Sequence, residues 1–111
     1  MAEMIFVSLD DFYEKAAACR MLTREEELDC AARMRQGDED ARQQLIRSYL
    51  PVVAAHIRRA KPHMQGLTLV LYYVQALEKA VDHFDFSQSS ETFTRRLSRY
   101  LWQASVDYIV R

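Results

Sequence analysis

Glycine is scarce in this chain of 111 residues, which contains only two, Gly37 and Gly66. A Gly-rich phosphate loop or a dinucleotide fingerprint needs several glycines at short spacing, because the backbone must approach the phosphates closely. No such motif can be written in this sequence. The sequence therefore argues against a nucleotide-dependent enzyme.

Cysteine pairs and long apolar runs are also lacking. Cys19 and Cys30 form no CxxC pair and have no nearby His at metal-ligand spacing, so we expect both to be small buried hydrophobes. The longest nearly apolar run, residues 67–74, is far shorter than the ~20 residues that span a bilayer, and the N-terminus lacks a secretory signal. We therefore expect a soluble, cytoplasmic protein with no membrane segment and no cofactor.

The residue types that commonly carry catalysis or bind metals are scattered. His56, His63 and His83 fall in separate segments without carboxylates and thiols at ligand spacing. Glu78 and Asp82 are one helical turn apart, but their setting favours solvated charges. We expect neither a metal site nor an enzymatic activity.

The net charge of -1 conceals two halves of opposite sign. Residues 1–40 contain eleven acids and five bases, whereas residues 41–111 contain five acids and ten bases. Twelve of the fifteen bases are Arg, the side chain that binds phosphates and carboxylates bidentately. The second half is therefore suited to a polyanion or to an acidic protein surface.

Hydrophobic periodicity and capping signals predict a single all-α domain over residues 1–111, a compact bundle of about five to six helices. The first helix is capped by Ser8 or Asp10 and runs to about Arg20. The other predicted boundaries are a capping box at Thr23 and Glu26, a helix end at Gly37, a new helix at Asp38, a renewed helix at Pro51, a stop at Pro62 and a cap at Thr68.

The last predicted helix follows a linker at residues 86–90 and has two distinct sides. Its inner side carries Phe93 and other apolar residues, while Arg95, Arg99 and Trp102 recur at helical spacing on the outer side. Arg96 and Gln103 flank that row. One interpretation is a nucleic-acid surface with phosphate and base contacts; the other is an exposed Arg-rich face with Trp102 partly packed.

The helix before it is apolar over most of its circumference. Leu71, Tyr72 and Tyr73 form either an apolar surface for a partner, including a second copy of the chain, or the ordinary core of a central helix. A helix of this kind must be buried by its own bundle or by another chain. The sequence leaves both interpretations open.

An ordered series of motifs from about Leu22 to Ser105 resembles the second conserved region of bacterial sigma-70 family factors, with the helix preceding it. The motifs are Leu22-Thr23-Arg24-Glu25-Glu26-Glu27, Gly37-Asp38-Glu39-Asp40-Ala41-Arg42, Leu45-Ile46, Leu50-Pro51-Val52-Val53 and Ala80-Val81-Asp82-His83-Phe84-Asp85. The resemblance implies a sigma-like helical bundle over residues 22–111, preceded by an N-terminal helix in residues 1–21. It implies docking on the clamp helices of RNA polymerase core, followed by recognition and opening of the minus-ten promoter box.

Two motifs depart from the family pattern. The polymerase-binding segment, usually like D-L-I-Q-E-G-N-I-G-L, corresponds to residues 68–77, where the polar surface is replaced by an apolar, aromatic one. The resemblance places the polymerase or partner contacts at Leu71, Tyr72, Tyr73 and Gln75.

The promoter-melting segment, usually like F-S-T-Y-A-x-x-W-I-R-Q-A, corresponds to residues 93–104. Arg96 and Arg99 stand where the family has the Tyr and the first Trp (the second x of the pattern) that stack on unpaired bases, and they favour phosphate contacts. Gln103 matches a residue type that can form two hydrogen bonds with adenine. The predicted DNA-binding residues are Phe93, Arg95, Arg96, Arg99, Trp102 and Gln103.

The sequence is therefore compatible with two functions. The first is a sigma-like initiation module that binds RNA polymerase and the minus-ten element. The second is a divergent protein-interaction or regulatory module without promoter-melting activity, which fits the rule that a fold does not determine a function. The last helical pattern reaches Arg111 without a C-cap, so we expect the natural boundary to fall inside a longer architecture.

Overall fold

The computed structural model describes residues 5–87 and 91–110, which form an all-α fold and confirm the predicted fold class. Residues 88–90 of the predicted linker and Arg111 lie outside this part. Within it, six α-helices and one short 3₁₀ helix occur: α1 (Leu9–Ala17), α2 (Arg24–Arg35), α3 (Glu39–Ser48), α4 (Leu50–Arg59), the 3₁₀ helix (Pro62–Met64), α5 (Leu67–His83) and α6 (Phe93–Val110). No helix in these residues has the length and apolarity needed to cross a membrane.

Local capping chemistry explains where α2 begins and ends. The Thr23 hydroxyl accepts a hydrogen bond from the Glu26 amide at 3.1 Å, and the Glu26 carboxylate accepts one from the Thr23 amide at 2.9 Å. This is the predicted capping box, which satisfies two amides that have no partner within the helix. After α2, Gly37 adopts a φ of 94°, a left-handed conformation that costs glycine little. Both predictions are confirmed.

Two other helix starts differ in part from the sequence prediction. Ser8, and not Asp10, caps α1, because its hydroxyl accepts a hydrogen bond from the Asp11 amide at 3.0 Å. The predicted cap at Thr68 is wrong: Gly66 holds the N-cap position of α5, and its carbonyl accepts the first helical hydrogen bond, from the Val70 amide. Leu67 packs against the core, which favours starting the helix before Thr68.

The central element is α5, which packs along α6 and also contacts α1, α3 and α4. Its buried residues are spread over much of its circumference: Leu69, Val70, Tyr73, Ala76, Leu77, Ala80 and Val81. On the other side of the bundle, α2 packs on α3, and α1 packs on α4. Burial of α5 on several sides explains why its sequence lacks a wide polar face.

The two cysteines differ in their environments. Cys30 is buried, as predicted, whereas Cys19 is only half-buried and its thiol contacts the Lys15 carbonyl at 3.2 Å. Burial raises the pKa of the Cys19 thiol, and the nearby Arg47 guanidinium partly offsets this effect. Cys19 follows the end of α1, beyond the stripe that faces the core, so the prediction of a fully buried residue is wrong there.

Candidate functional site

Helix α6 separates an apolar side from a basic one along its 18 residues, which correspond to a length of about 27 Å. The side toward the bundle buries Phe93, Leu97, Leu101 and Ala104. The side chains of Arg95, Arg99, Trp102 and Gln103 lie on the exposed side, and Trp102 is 66% exposed. The predicted row of cationic, aromatic and amide side chains therefore occurs on one accessible surface, which we call the α6 row (Arg95, Arg96, Arg99, Trp102, Gln103).

Two residues that precede α6, Glu91 and Thr92, hold its start in place. The Thr92 hydroxyl accepts a hydrogen bond from the Arg95 amide at 3.2 Å, as an N-cap does. Glu91 precedes it, and one of its oxygens accepts hydrogen bonds from Nε and Nη2 of Arg96, both at 3.2 Å. The other Glu91 oxygen lies 2.8 Å from Nη2 of Arg99. A single carboxylate therefore pairs with two of the three arginines in the α6 row.

The three arginines of the α6 row therefore differ in how freely they can bind an anion. Arg95 is exposed and has no ion pair with any residue of the described part, so its guanidinium is available to an anion. Arg96 is more restrained, because it also lies 5.8 Å from the centre of the Phe84 ring. Together the three arginines and Glu91 carry a net charge of about +2, which favours phosphate. The only sequence signal for Glu91 is an acid just ahead of the helix.

Gln103 lies farther along the α6 row, next to Asp107. Its Nε2 donates a hydrogen bond to Oδ1 of Asp107 at 3.0 Å, one turn along the helix. Arg96, Arg99, Tyr100 and Gln103 border a shallow groove of about 330 Å³. An amide beside two guanidiniums in an open groove can contact a base edge and neighbouring phosphates together.

Phe93 requires a correction, because it does not belong to the α6 row. Its side chain is 3% exposed, and its ring centroid lies 4.5 Å from that of Tyr49, 5.0 Å from that of Phe86 and 5.3 Å from that of Phe84. The prediction that Phe93 contacts DNA is wrong for this structure. The first turn of α6 must bury a large side chain to dock on the bundle, and Phe93 is that anchor.

The second predicted surface, on α5, is only partly accessible. Leu71 is 50% exposed and Gln75 is exposed, so both can contact a partner. Tyr73 lies on the side of α5 that faces the bundle and is only 6% exposed. The prediction that Tyr73 contacts a partner is therefore wrong. Tyr72 is half-buried, with its ring centroid 5.6 Å from that of Tyr108 in an edge-to-face contact.

The N-terminal segment lies beside this surface, which the sequence does not predict. Ile5 and Phe6 border a cavity of about 260 Å³ together with Leu71, Gln75 and Glu78. Ile5 is 70% exposed, so apolar area from two distant parts of the chain is combined there. The sequence contains no local signal for this contact, since the two segments are separated by most of the chain.

Metal ligation finds no support in the described residues. Across residues 5–87 and 91–110, no three His, Cys, Asp or Glu side chains are grouped so that they could hold a metal ion.

Comparison of the chain with family models, with curated proteins and with solved structures gives no match. Its function must therefore be inferred from its own side chains and their geometry.

Proposed function

We propose that this chain is a sigma-70-like transcription-initiation module that binds RNA polymerase core and contacts promoter DNA at the minus-ten element through α6. The observation that carries the proposal is the α6 row, in which cationic, aromatic and amide side chains share one exposed surface. The ordered sigma-like motifs support it, because they occur along an all-α bundle.

Each side chain of the α6 row has a role that follows from its chemistry. Arg95 binds a backbone phosphate, and Arg96 and Arg99 do so when they leave Glu91. The indole of Trp102 stacks on a base that is unpaired. Gln103 forms hydrogen bonds with an adenine edge. Phosphate contacts set the affinity, while Trp102 and Gln103 supply the preference for sequence and for an open strand.

Fluorescence anisotropy with a labelled promoter fragment tests the DNA contact. We expect the logarithm of the binding constant to fall with the logarithm of salt concentration at a slope of about -0.9 for each phosphate neutralised. Arg99→Gln should weaken binding and make the slope shallower by about 0.9.

Arg20→Gln is the matched control for Arg99→Gln. Arg20 lies 2.9 Å from Glu26, as Arg99 lies 2.8 Å from Glu91, and the two side chains are 66% and 63% exposed. The control removes the same charge from a paired arginine outside the α6 row. Equal losses in both variants, or no loss in Arg99→Gln, would refute the DNA contact through α6.

A binding assay with purified bacterial RNA polymerase core tests the second half of the proposal. Leu71→Asp should weaken the complex, because it places a charge on the exposed part of α5. Met21→Asp is the control, since Met21 is 47% exposed and lies outside the α5 surface. No binding of core by the unmodified chain would refute the polymerase contact.

The alternative function is a sigma-like protein-interaction or regulatory module without promoter-melting activity. The observations that favour it are the exposed apolar residues Ile5 and Leu71 at one cavity, and the pairing of Arg96 and Arg99 with Glu91. A pull-down from the source cell that recovers another protein but no polymerase subunits, together with absent DNA binding, would support this alternative.

A further inference from the structure

A second basic surface lies where the end of α4 and the 3₁₀ helix meet α5 and the C-terminal half of α6. It is a groove of about 710 Å³, a size typical of ligand sites. Its polar border includes His56, Arg59, Lys61 and His63, and its aromatic border includes Tyr73 and Tyr108. The described residues that line it include no Asp or Glu. We call it the α4-end groove (His56, Arg59, Lys61, His63).

Arg59 and Lys61 differ from most other cations of the described chain. Ion pairs with carboxylates occupy seven other arginines: Arg20, Arg24, Arg33, Arg35, Arg42, Arg96 and Arg99. Neither Arg59 nor Lys61 forms an ion pair with a residue of the described part. The adjacent Arg58 is used elsewhere, since its guanidinium lies 4.3 Å from the centre of the Tyr13 ring. The α4-end groove therefore keeps two cationic charges that its own bundle does not neutralise.

The segment that carries these cations is held in place before any ligand arrives. Nε2 of Gln65 donates hydrogen bonds to the Ala60 carbonyl at 2.8 Å and to the Arg58 carbonyl at 3.4 Å, which fastens the connection to the end of α4. The Lys61 carbonyl accepts a hydrogen bond from the Met64 amide at 2.8 Å within the 3₁₀ turn. Ordering this segment in advance lowers the entropy cost of binding.

His56 is oriented in a similar way. Its Nδ1 lies 2.9 Å from the Val52 carbonyl, an oxygen that can only accept, so Nδ1 carries the hydrogen of this bond. The remaining ring nitrogen, Nε2, is then an acceptor in the neutral ring, so it can receive a hydrogen bond from a hydroxyl of a ligand in the α4-end groove but not from a phosphate oxygen.

The charge balance of the groove favours an anion. Arg59 and Lys61 contribute two full positive charges, whereas the C-terminal end of α4 contributes about half a negative charge. The net charge of the groove is therefore positive. The partial negative charge of the helix end also reduces the repulsion between Arg59 and Lys61. A guanidinium supplies paired donors that match the oxygens of a phosphate, and an ammonium supplies a compact charge beside it.

We propose that the α4-end groove is a phosphate-binding site, whose ligand is a phosphate group of a nucleic-acid strand or of a free nucleotide. Arg59 and Lys61 supply both the charge and the hydrogen-bond donors, and His56 and His63 border the site. The site is separate from the α6 row, because none of Arg95, Arg96, Arg99, Trp102 and Gln103 lines it.

An NMR titration of the full chain with pyrophosphate tests the site directly. Saturable shifts are expected at the amides of residues 59–61 and 63–65 and of Ser105. Arg59→Gln and Lys61→Gln should each weaken pyrophosphate binding about tenfold, as expected for loss of a charge-assisted hydrogen bond. Both side chains are exposed, so the variants should fold.

Lys79→Gln is the matched control, because Lys79 is an exposed lysine that has no ion pair with the described residues and does not line the groove. It should leave pyrophosphate binding unchanged. Absent shifts, or affinity losses that are equal in Lys61→Gln and Lys79→Gln, would overturn the proposal.

The two sources of phosphate are distinguished in a second titration, carried out with an Arg95→Gln, Arg99→Gln background so that the α6 row contributes less. A single-stranded oligonucleotide that shifts residues 59–65 more strongly than ATP supports a strand, whereas the reverse supports a free nucleotide. If neither compound shifts these residues, the assignment to a biological phosphate is wrong, whatever the α6 row does with promoter DNA.

Discussion

The Glu91 carboxylate lies 2.8 Å from the Arg99 guanidinium, so it occupies donors that a phosphate would otherwise use. The same carboxylate accepts hydrogen bonds from Arg96, and its side chain is only 16% exposed. A phosphate that binds these arginines must therefore compete with an acid of the same chain. Under the proposed DNA contact, this competition should lower non-specific affinity for polyanions, because Arg96 and Arg99 must first leave Glu91.

Replacement of Glu91 by Gln should strengthen DNA binding. Ion pairs at a protein surface are worth about 0.2–1 kcal/mol each, so freeing both Arg96 and Arg99 should raise affinity roughly 2- to 30-fold at low salt. Anisotropy titrations at several salt concentrations measure this effect. Glu14→Gln, which removes an exposed acid from α1, is the control for the change in net charge. An equal gain in both variants would show that Glu91 has no specific role.

The sequence predicted the features of the fold and site that depend on neighbours along the chain. The capping box of Thr23, the left-handed Gly37 and the exposed side of α6 follow from spacings of a few residues. Such spacings determine which side chains share a helix face, whatever surrounds the helix.

The features that it missed depend on contacts between distant segments or across a helix start. Tyr73 and Leu71 both belong to the apolar surface of α5, and only the placement of other helices decides which is buried. The pairs of Glu91 with Arg96 and Arg99 span five and eight residues across the start of α6, where helical spacing rules do not apply. Ile5 reaches the surface of Leu71 only through the folded bundle.

Glu26 should make stability sensitive to acid. A hydrogen bond from Arg20, followed by one from the Thr23 amide, lowers the pKa of Glu26 from 4.5 to about 2. Because the folded-state pKa is lowered, its stabilising contribution is complete above about pH 5 and is lost as the pH falls toward 2. The melting temperature of Glu26→Gln should therefore fall less between pH 5 and pH 3 than that of the unmodified chain. Glu25→Gln, in the same turn, should retain the full decline; equal declines in all three proteins would contradict the prediction.

Arg42 and Asp82 connect two of the sigma-like motifs across the fold. Nε of Arg42 donates to one Asp82 oxygen at 2.7 Å and Nη2 donates to the other at 3.0 Å, joining α3 to α5. The hydrogen bonds that Arg42 donates to Asp82 and to Glu39 raise the pKa of Arg42, which therefore stays charged. We expect Asp82→Asn to reduce the free energy of unfolding by about 1 kcal/mol, since the pair is bidentate but partly exposed. Urea unfolding of Asp82→Asn, of a variant that removes the Arg42 guanidinium and of the double variant measures the coupling energy between the two side chains. Additive losses of unfolding free energy would exclude an interaction between them.

The aromatic anchor of α6 should contribute to stability and not to DNA contact. Phe93→Ala removes a ring packed against Tyr49, Phe84 and Phe86, and we expect it to cost about 3–5 kcal/mol, a large part of the stability of a domain this size. Phe93→Leu keeps an apolar side chain and should remain folded. Urea unfolding measures the first effect, and anisotropy measures DNA affinity of the second. A folded Phe93→Leu protein that no longer binds DNA would contradict the anchor role.

Replacement of Trp102 should have the opposite effect to replacement of Phe93. It should change the stability little and strongly reduce the affinity for DNA with an open strand. Its indole is 66% exposed, so Trp102→Ala should change the free energy of unfolding by no more than about 0.5 kcal/mol. Stacking of a base on an aromatic ring is worth about 1–3 kcal/mol, which corresponds to roughly a 5- to 150-fold loss of affinity for promoter DNA with an unpaired minus-ten box.

Fully paired DNA separates stacking by Trp102 from a general loss of binding. Bases in a duplex are stacked on each other, so Trp102→Ala should weaken duplex binding much less than binding to the open probe. Trp102→Phe retains a ring and should recover most of the affinity for the open probe. Val110→Ala provides a control, since it removes another exposed apolar side chain at the far end of α6. Equal losses on paired and unpaired probes would mean that Trp102 supports the helix surface without stacking on a base, and α6 would then contact the phosphate backbone alone.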